Sequence, residues 1–152
     1  MATILLPTVI STIVTNLKGA SSLSAVKVID GIDLSAQQLG DVIIIGHDGS
    51  DNGPLRSASS RSTAETIGNL KFIESGVIDC LLFSQDGTSD VLSRRTRAFA
   101  MLSAVDTVLR ADMSLGGLVM WAYLQDYTPE YIADDMGVSC SIRFTITYQQ
   151  KI

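Results

Sequence analysis

The chain has 152 residues, 46% of them hydrophobic and 18% charged, with a formal net charge of -5. A length in this range fits one domain spanning residues 1–152, and a mean hydropathy of +0.30 excludes disorder for most of it. The acidic balance argues against a domain that clamps nucleic acid through its phosphates, while few charges beside an apolar surplus lead us to expect burial between subunits, the alternative being a rich monomer core.

In chain order, Met1 to Gly19 begins like a leader, but it lacks a basic start and Thr and Ser interrupt its apolar residues, so export is not expected. Within it Val9, Ile10, Ile13, Val14 and Leu17 recur at helical spacing, with Pro7 suited to a first turn and Gly19 to a C-cap. This predicts an amphipathic helix from Pro7 to Lys18. A short extended segment, Ala25 to Ile29, runs into the Asp30-Gly31 turn. Val42 to Ile45 are apolar in series and stop at Gly46, which reads as a strand buried on both faces. From His47 to Ser62, Gly, Ser, Asp, Asn and Pro crowd out any apolar period, so a long projecting loop is expected there.

Thr63 to Phe72 and Val77 to Phe83 read as a hairpin about a Glu74-Ser75-Gly76 turn. Ser89 or Asp90 caps a main helix from Val91 to Arg110, whose apolar face is Val91, Ala98, Leu102, Val105 and Leu109. Gly116 and Gly117 end the helical period, Leu118 to Tyr127 forms a strand holding the only Trp, and Thr128-Pro129-Glu130 signals one helical turn through Ala133. After Gly137, Val138, Cys140, Ile142, Phe144, Ile146 and Tyr148 alternate strictly with polar residues, the clearest strand in the chain. The predicted class is α+β: an antiparallel or mixed sheet with two main helices packed on one face and a long loop. No apolar run approaches the ~20 residues of a membrane span, so no membrane is expected.

Residues that could carry chemistry are few. A Ser/His/Asp or Cys/His mechanism needs a base, and the only histidine is His47; its neighbour Asp48 is badly placed to orient it. Asp48 to Gly53 begins like a calcium loop, but Ser59 stands where a bidentate Glu is required. Cys80 and Cys140 lie in apolar segments and read as buried free thiols. Asp134 and Asp135 are neighbours on a short turn and face apart. Trp121 and Tyr123, with Tyr127 a candidate third, share one strand face; with no basic residues interleaved, packing in a core or between subunits is the better reading than stacking on bases. Arg94, Arg95 and Arg97 spread around their helix and read as a solvated or interface face. No enzyme activity, cofactor or metal is expected.

The long helix running into LRADMSLGGLVMWAYL, Leu109 to Leu124, followed by a tyrosine-bearing turn and the final strand GVSCSIRFTITYQ, Gly137 to Gln149, resembles the tail terminator proteins of long-tailed bacteriophages. Asp112, Leu115, Gly116 and Gly117 are the best match, and Met113 stands where the family carries a proline. The resemblance implies a small α+β subunit forming a homo-oligomeric ring, a hexamer, that caps the tail tube, ends its polymerisation and joins the head. Its implied partners are copies of itself, the major tail tube protein and the head-tail connector or stopper, with DNA passing through the lumen without specific binding. The implied location is the tail-neck junction of the virion, after assembly in the host cytoplasm. Alternatives are another neck or tail-tube component, or a small ligand-binding domain or enzyme with its pocket near His47. Candidate assembly contacts are His47, Asp48, Asp51, Leu55, Arg56 and Arg61 from the loop, Arg94, Arg95 and Arg97 from the main helix, and Trp121.

Overall fold

A computed structural model describes residues 4–31, 40–47, 58–66, 71–87, 89–134 and 137–151. Helix α1 (Leu6–Lys18) opens the chain, followed by a single 3-10 turn at Ser21–Leu23 and strands β1 (Lys27–Asp30), β2 (Gly40–Ile45), β3 (Ala58–Thr66) and β4 (Lys71–Gln85). Helix α2 (Val91–Ala111) leads to strands β5 (Trp121–Asp134) and β6 (Gly137–Lys151). The strands form one open, mixed, six-stranded sheet in the order β1-β2-β4-β6-β5, with β3 also paired to β4. The fold is α+β.

Strand β4 organises the sheet. Along one edge it runs antiparallel to β6 from Ile73 to Gln85. Its other edge is divided, with β2 opposite Cys80 to Gln85 and β3 opposite Lys71 to Ile78. At the seam the Asp79 carbonyl accepts both the Gly46 and His47 N–H groups, at 2.8 and 2.9 Å, so the chain leaves β2 without stranding either donor.

Alternation assigns the two sheet faces. Ile43, Ile45, Ile78, Cys80, Leu82, Cys140, Ile142, Phe144, Ile146 and Tyr148 point into one cluster with Val9, Ile13, Val14 and Leu17 of α1 and Ala98, Met101, Leu102, Val105 and Leu109 of α2. Both helices therefore cover the same face. Each fully buried Ile, Leu or Phe side chain contributes about 1.5–3 kcal/mol. Helix α2 starts where the Asp90 side chain accepts the Ser93 N–H, as its sequence indicates. Met101 belongs to its buried stripe, whereas Val91, expected there, is the first residue of the helix and 41% exposed.

Helix α1 has no capping side chain at Leu5 and no acid in its first turn. A distant residue supplies both: the buried Glu74 carboxylate accepts the Leu5 N–H and the Tyr148 hydroxyl, each at 3.0 Å. The Tyr148 ring lies over Gly76, where an added Cβ would collide with the ring. These contacts explain why Glu74-Ser75-Gly76 is not the expected turn. The three residues lie inside β4, the glutamate satisfied and the glycine required by a cross-strand ring.

Three other expectations are corrected. Residues 58–62 of the anticipated 47–62 loop belong to β3, which has no apolar period and is held by its backbone ladder to β4; residues 48–57 lie outside the described residues. The expected helical turn from Thr128 to Ala133 is strand, because pairing with β6 continues to Asp134 and overrides the local Thr-Pro-Glu signal. Pro129 is tolerated since β5 is an edge strand. Strand β5 itself starts at Trp121 rather than Leu118, since the turn after α2 extends further.

That turn is built on Asp112. Its carboxylate accepts the Ser114 hydroxyl at 2.7 Å and the Ser114 and Gly116 N–H groups at 3.2 and 2.7 Å. The Ser114 hydroxyl bond first, then the Gly116 N–H, hold its pKa below the ordinary carboxylate value. Leu115, Gly116 and Gly117 all take positive φ. For Leu115, at φ 52°, that conformation is strained, and burying its side chain in the core offsets the strain.

Two predictions follow from the Glu74, Gly76 and Tyr148 cluster. Gly76→Ala is expected to lower unfolding stability by about 2 kcal/mol, measured by urea titration, because the ring must leave its place. Burial first, then the Glu74 hydrogen bond and charge, push the Tyr148 phenol far above its ordinary value of 10.0. The folded state thus holds a proton that the unfolded chain releases, so this contribution is whole below pH ~10 and is lost as pH rises beyond it. The stability difference between the native chain and Tyr148→Phe should accordingly shrink above pH ~10.

Candidate assembly surface

The described members of the anticipated site do not converge on one place. His47 is half-buried at the end of β2, its N–H bound to the Asp79 carbonyl. Asp48, Asp51, Leu55 and Arg56 lie outside the described residues, as does most of the partial calcium loop. Arg61 projects from β3, exposed, on the sheet face opposite the helices. Arg95 is exposed on α2, and Trp121 is half-buried at the start of β5.

Arg94 and Arg97 are engaged within the subunit. Asp41 and Ser84 stand directly opposite in β2 and β4, and Ser84 donates to Asp41 at 2.6 Å. Arg94 donates to Ser84 at 2.7 Å and forms an ion pair with Asp86 at 2.8 Å, while Arg97 pairs with Asp41 at 2.7 Å. With Arg94 only 12% exposed, this network seats the start of α2 on the end of the sheet. Sequence spacing could not reveal it, because its members come from β2, β4, the connection after β4, and α2.

Among the described residues, no group of three or more His, Cys, Asp and Glu side chains is placed to hold a metal. Both thiols are free and buried. Burial raises the Cys80 pKa strongly, and it raises that of Cys140 against the opposing charge of Arg95. Neither thiol is poised as a nucleophile. Among the described residues, no helix is long and apolar enough to cross a membrane.

The strongest feature is strand β5. Fourteen residues long, it lies at the sheet edge and among the described residues pairs with β6 alone. Tyr123, Tyr127, Tyr131 and Ile132 are 39 to 53% exposed along it. Trp121 and Tyr123 lie 5.2 Å apart on the face opposite the helices. Tyr127 does not join them, because a bulge at Leu124/Asp126 inserts one residue and reverses the parity of the strand. Tyr127 sits opposite Phe144 on the helix side, edge-on to Phe99 of α2 at 5.9 Å. Asp126 consequently becomes the next residue after Tyr123 on the other face, where it accepts the Thr145 hydroxyl at 2.7 Å. A long edge that meets no second strand among the described residues, with exposed aromatics on both faces, is a surface suited to strand addition or subunit packing.

No family model and no curated protein matches the chain. Among solved structures, a chain from the virion of a native gene transfer agent (GTA) particle matches with a TM-score of 0.56 at 7% identity, covering 99% of this chain and 100% of that one. The likeness is one of fold, and it extends from end to end of both chains.

Proposed function

We propose that this chain is a structural subunit of a phage-like virion, and that its copies form a closed ring, a hexamer, at the tail-neck junction. There the ring caps the tail tube, ends its polymerisation and presents the joint to the head connector or stopper. The supporting observation is the whole-length fold likeness to a virion chain. The exposed aromatic edge of β5 adds a surface on which subunits could join. The net charge of -5 suits a lumen through which DNA slides without sticking. A role by assembly rather than catalysis agrees with the lone half-buried His47 and the inert thiols.

The same fold likeness accommodates a tail-tube subunit, and the mode of assembly separates the two. Sedimentation velocity over a wide concentration range should give one discrete species of several 16.3 kDa subunits. Added to polymerising tube protein, that species should end tube growth. Open-ended filaments would favour a tube component, and a strict monomer that leaves tube growth unchanged would contradict the proposal.

A further inference from the structure

At the level of Cys80 to Phe83 the outer strands of the sheet are β1 on one side and β5 on the other. Strand β3 flanks β4 only from Lys71 to Ile78, one strand position further in, so it takes no part in the edge at this level. The pairing registers connect the two edges. Lys27 lies opposite Val42, Val42 opposite Phe83, Phe83 opposite Ser141 and Ser141 opposite Glu130, so a lysine and a glutamate end one row on the face opposite the helices. Asp30 and Tyr127 end another row, which crosses the sheet by way of Ile45, Cys80 and Phe144.

The backbone parity of the two edges matches as well. In β1 the Gly31 N–H turns inward to the Ile45 carbonyl, so Val28 and Asp30, of the other parity, turn their N–H and C=O groups outward. In β5 the Ala122 N–H turns away from β6, to the Met113 carbonyl; the bulge then reverses parity, and beyond it Tyr127 and Pro129 face outward. A proline in that position leaves the ladder to β6 complete. Strand directions are also fixed. Strand β1 is parallel to β2, and each step from β2 to β4, β6 and β5 reverses direction, so β1 runs antiparallel to β5. A second copy added edge to edge in the same orientation, with its helices on the same side, therefore lays its β1 antiparallel against β5.

Resting on the ring reading above, we propose that β5 from Tyr127 to Glu130 seats the β1 strand of a second copy of this chain, joined in level register. Tyr127 and the partner's Asp30 exchange backbone hydrogen bonds, and the partner's Val28 N–H donates to the Pro129 carbonyl. On the face opposite the helices, Glu130 meets the partner's Lys27 directly across the joint. Within its own subunit Glu130 stands 3.7 Å from Arg143, with both side chains about half exposed, so its carboxylate is open to a second cation. Charge selects the register, because sliding by two residues either way sets the partner's Lys27 against Thr128 or Ile132 instead. The contact is head-to-tail, and such contacts close into rings when the rotation permits.

Charge reversal tests this. Lys27→Glu alone places a carboxylate against Glu130, and Glu130→Lys alone places an ammonium against Lys27. Each variant should self-associate at least about tenfold more weakly than the native chain in sedimentation velocity. Mixed in equal amounts, the two variants should recover native-size assemblies, since alternating copies set a lysine against a glutamate at every joint. Asp30→Pro removes the N–H offered to Tyr127 while sparing the ladder to β2, and it should weaken association as well. Unchanged unfolding midpoints confirm that the subunits stay folded. Native-like assembly by the two charge-reversed variants would overturn the joint while leaving the ring reading intact. Two weakened variants that fail to complement each other would overturn the direct pairing. A native chain that stays monomeric at every concentration would remove the proposal and the ring reading together.

Discussion

The structure depends on one strand serving three others. Strand β4 carries β6 along one edge and divides the other between β2 and β3, and the division is made possible by a carbonyl at Asp79 that accepts two N–H groups where β2 departs. Because β4 is fifteen residues long, the β3 half extends the sheet beyond the part that β2 reaches. That extension is where Tyr148, Gly76 and Glu74 meet and where the start of α1 is capped. At the other end of β4, Ser84 links Asp41 and Arg94 and so anchors α2. Both helices are thus attached to the sheet by polar contacts at opposite ends of one strand, with the apolar cluster between them.

This arrangement leaves the opposite face and the two sheet edges for other work. The helix face is filled, the buried Glu74 and Tyr148 on it are bonded to each other, and its thiols are raised out of reactivity. The accessible surface includes the aromatic and acidic edge at β5, the short edge strand β1 and the hydroxyl-rich outer side of β3 with its single arginine. The bulge after Leu124 matters here: one extra residue moves Tyr127 to the helix side and brings Asp126 next to Tyr123 on the other. The edge thereby gains a mixed aromatic and carboxylate surface on one face and an aromatic contact with α2 on the other.

Sequence pattern was most informative where a segment buries its own side chains. The alternation from Val138 to Tyr148 placed β6 correctly, and the helical spacing of Val9, Ile13, Val14 and Leu17 placed α1. It failed where structure is imposed by a neighbour. Residues 58–62 carry no apolar period, yet the free edge of β4 makes them a strand. Glu74 and Gly76 look like turn residues because their reason for being in a strand is Tyr148, distant in sequence. Thr128 and Pro129 carry a helix-start signal that the ladder to β6 overrides. Among the site residues, Trp121 and Arg61 end one row across the sheet, a relation that exists only once three strand registers are known. Arg94 and Arg97 were read as a solvated or interface face because their partners, Asp41, Ser84 and Asp86, arrive from the sheet end.

The central claim is that copies of this chain assemble into a closed ring. Electron-microscopic averaging of the purified assembly tests it most directly. The account predicts closed particles of six-fold rotational symmetry. Two-fold dimers joined through β5, or particles no larger than the single chain, would contradict it.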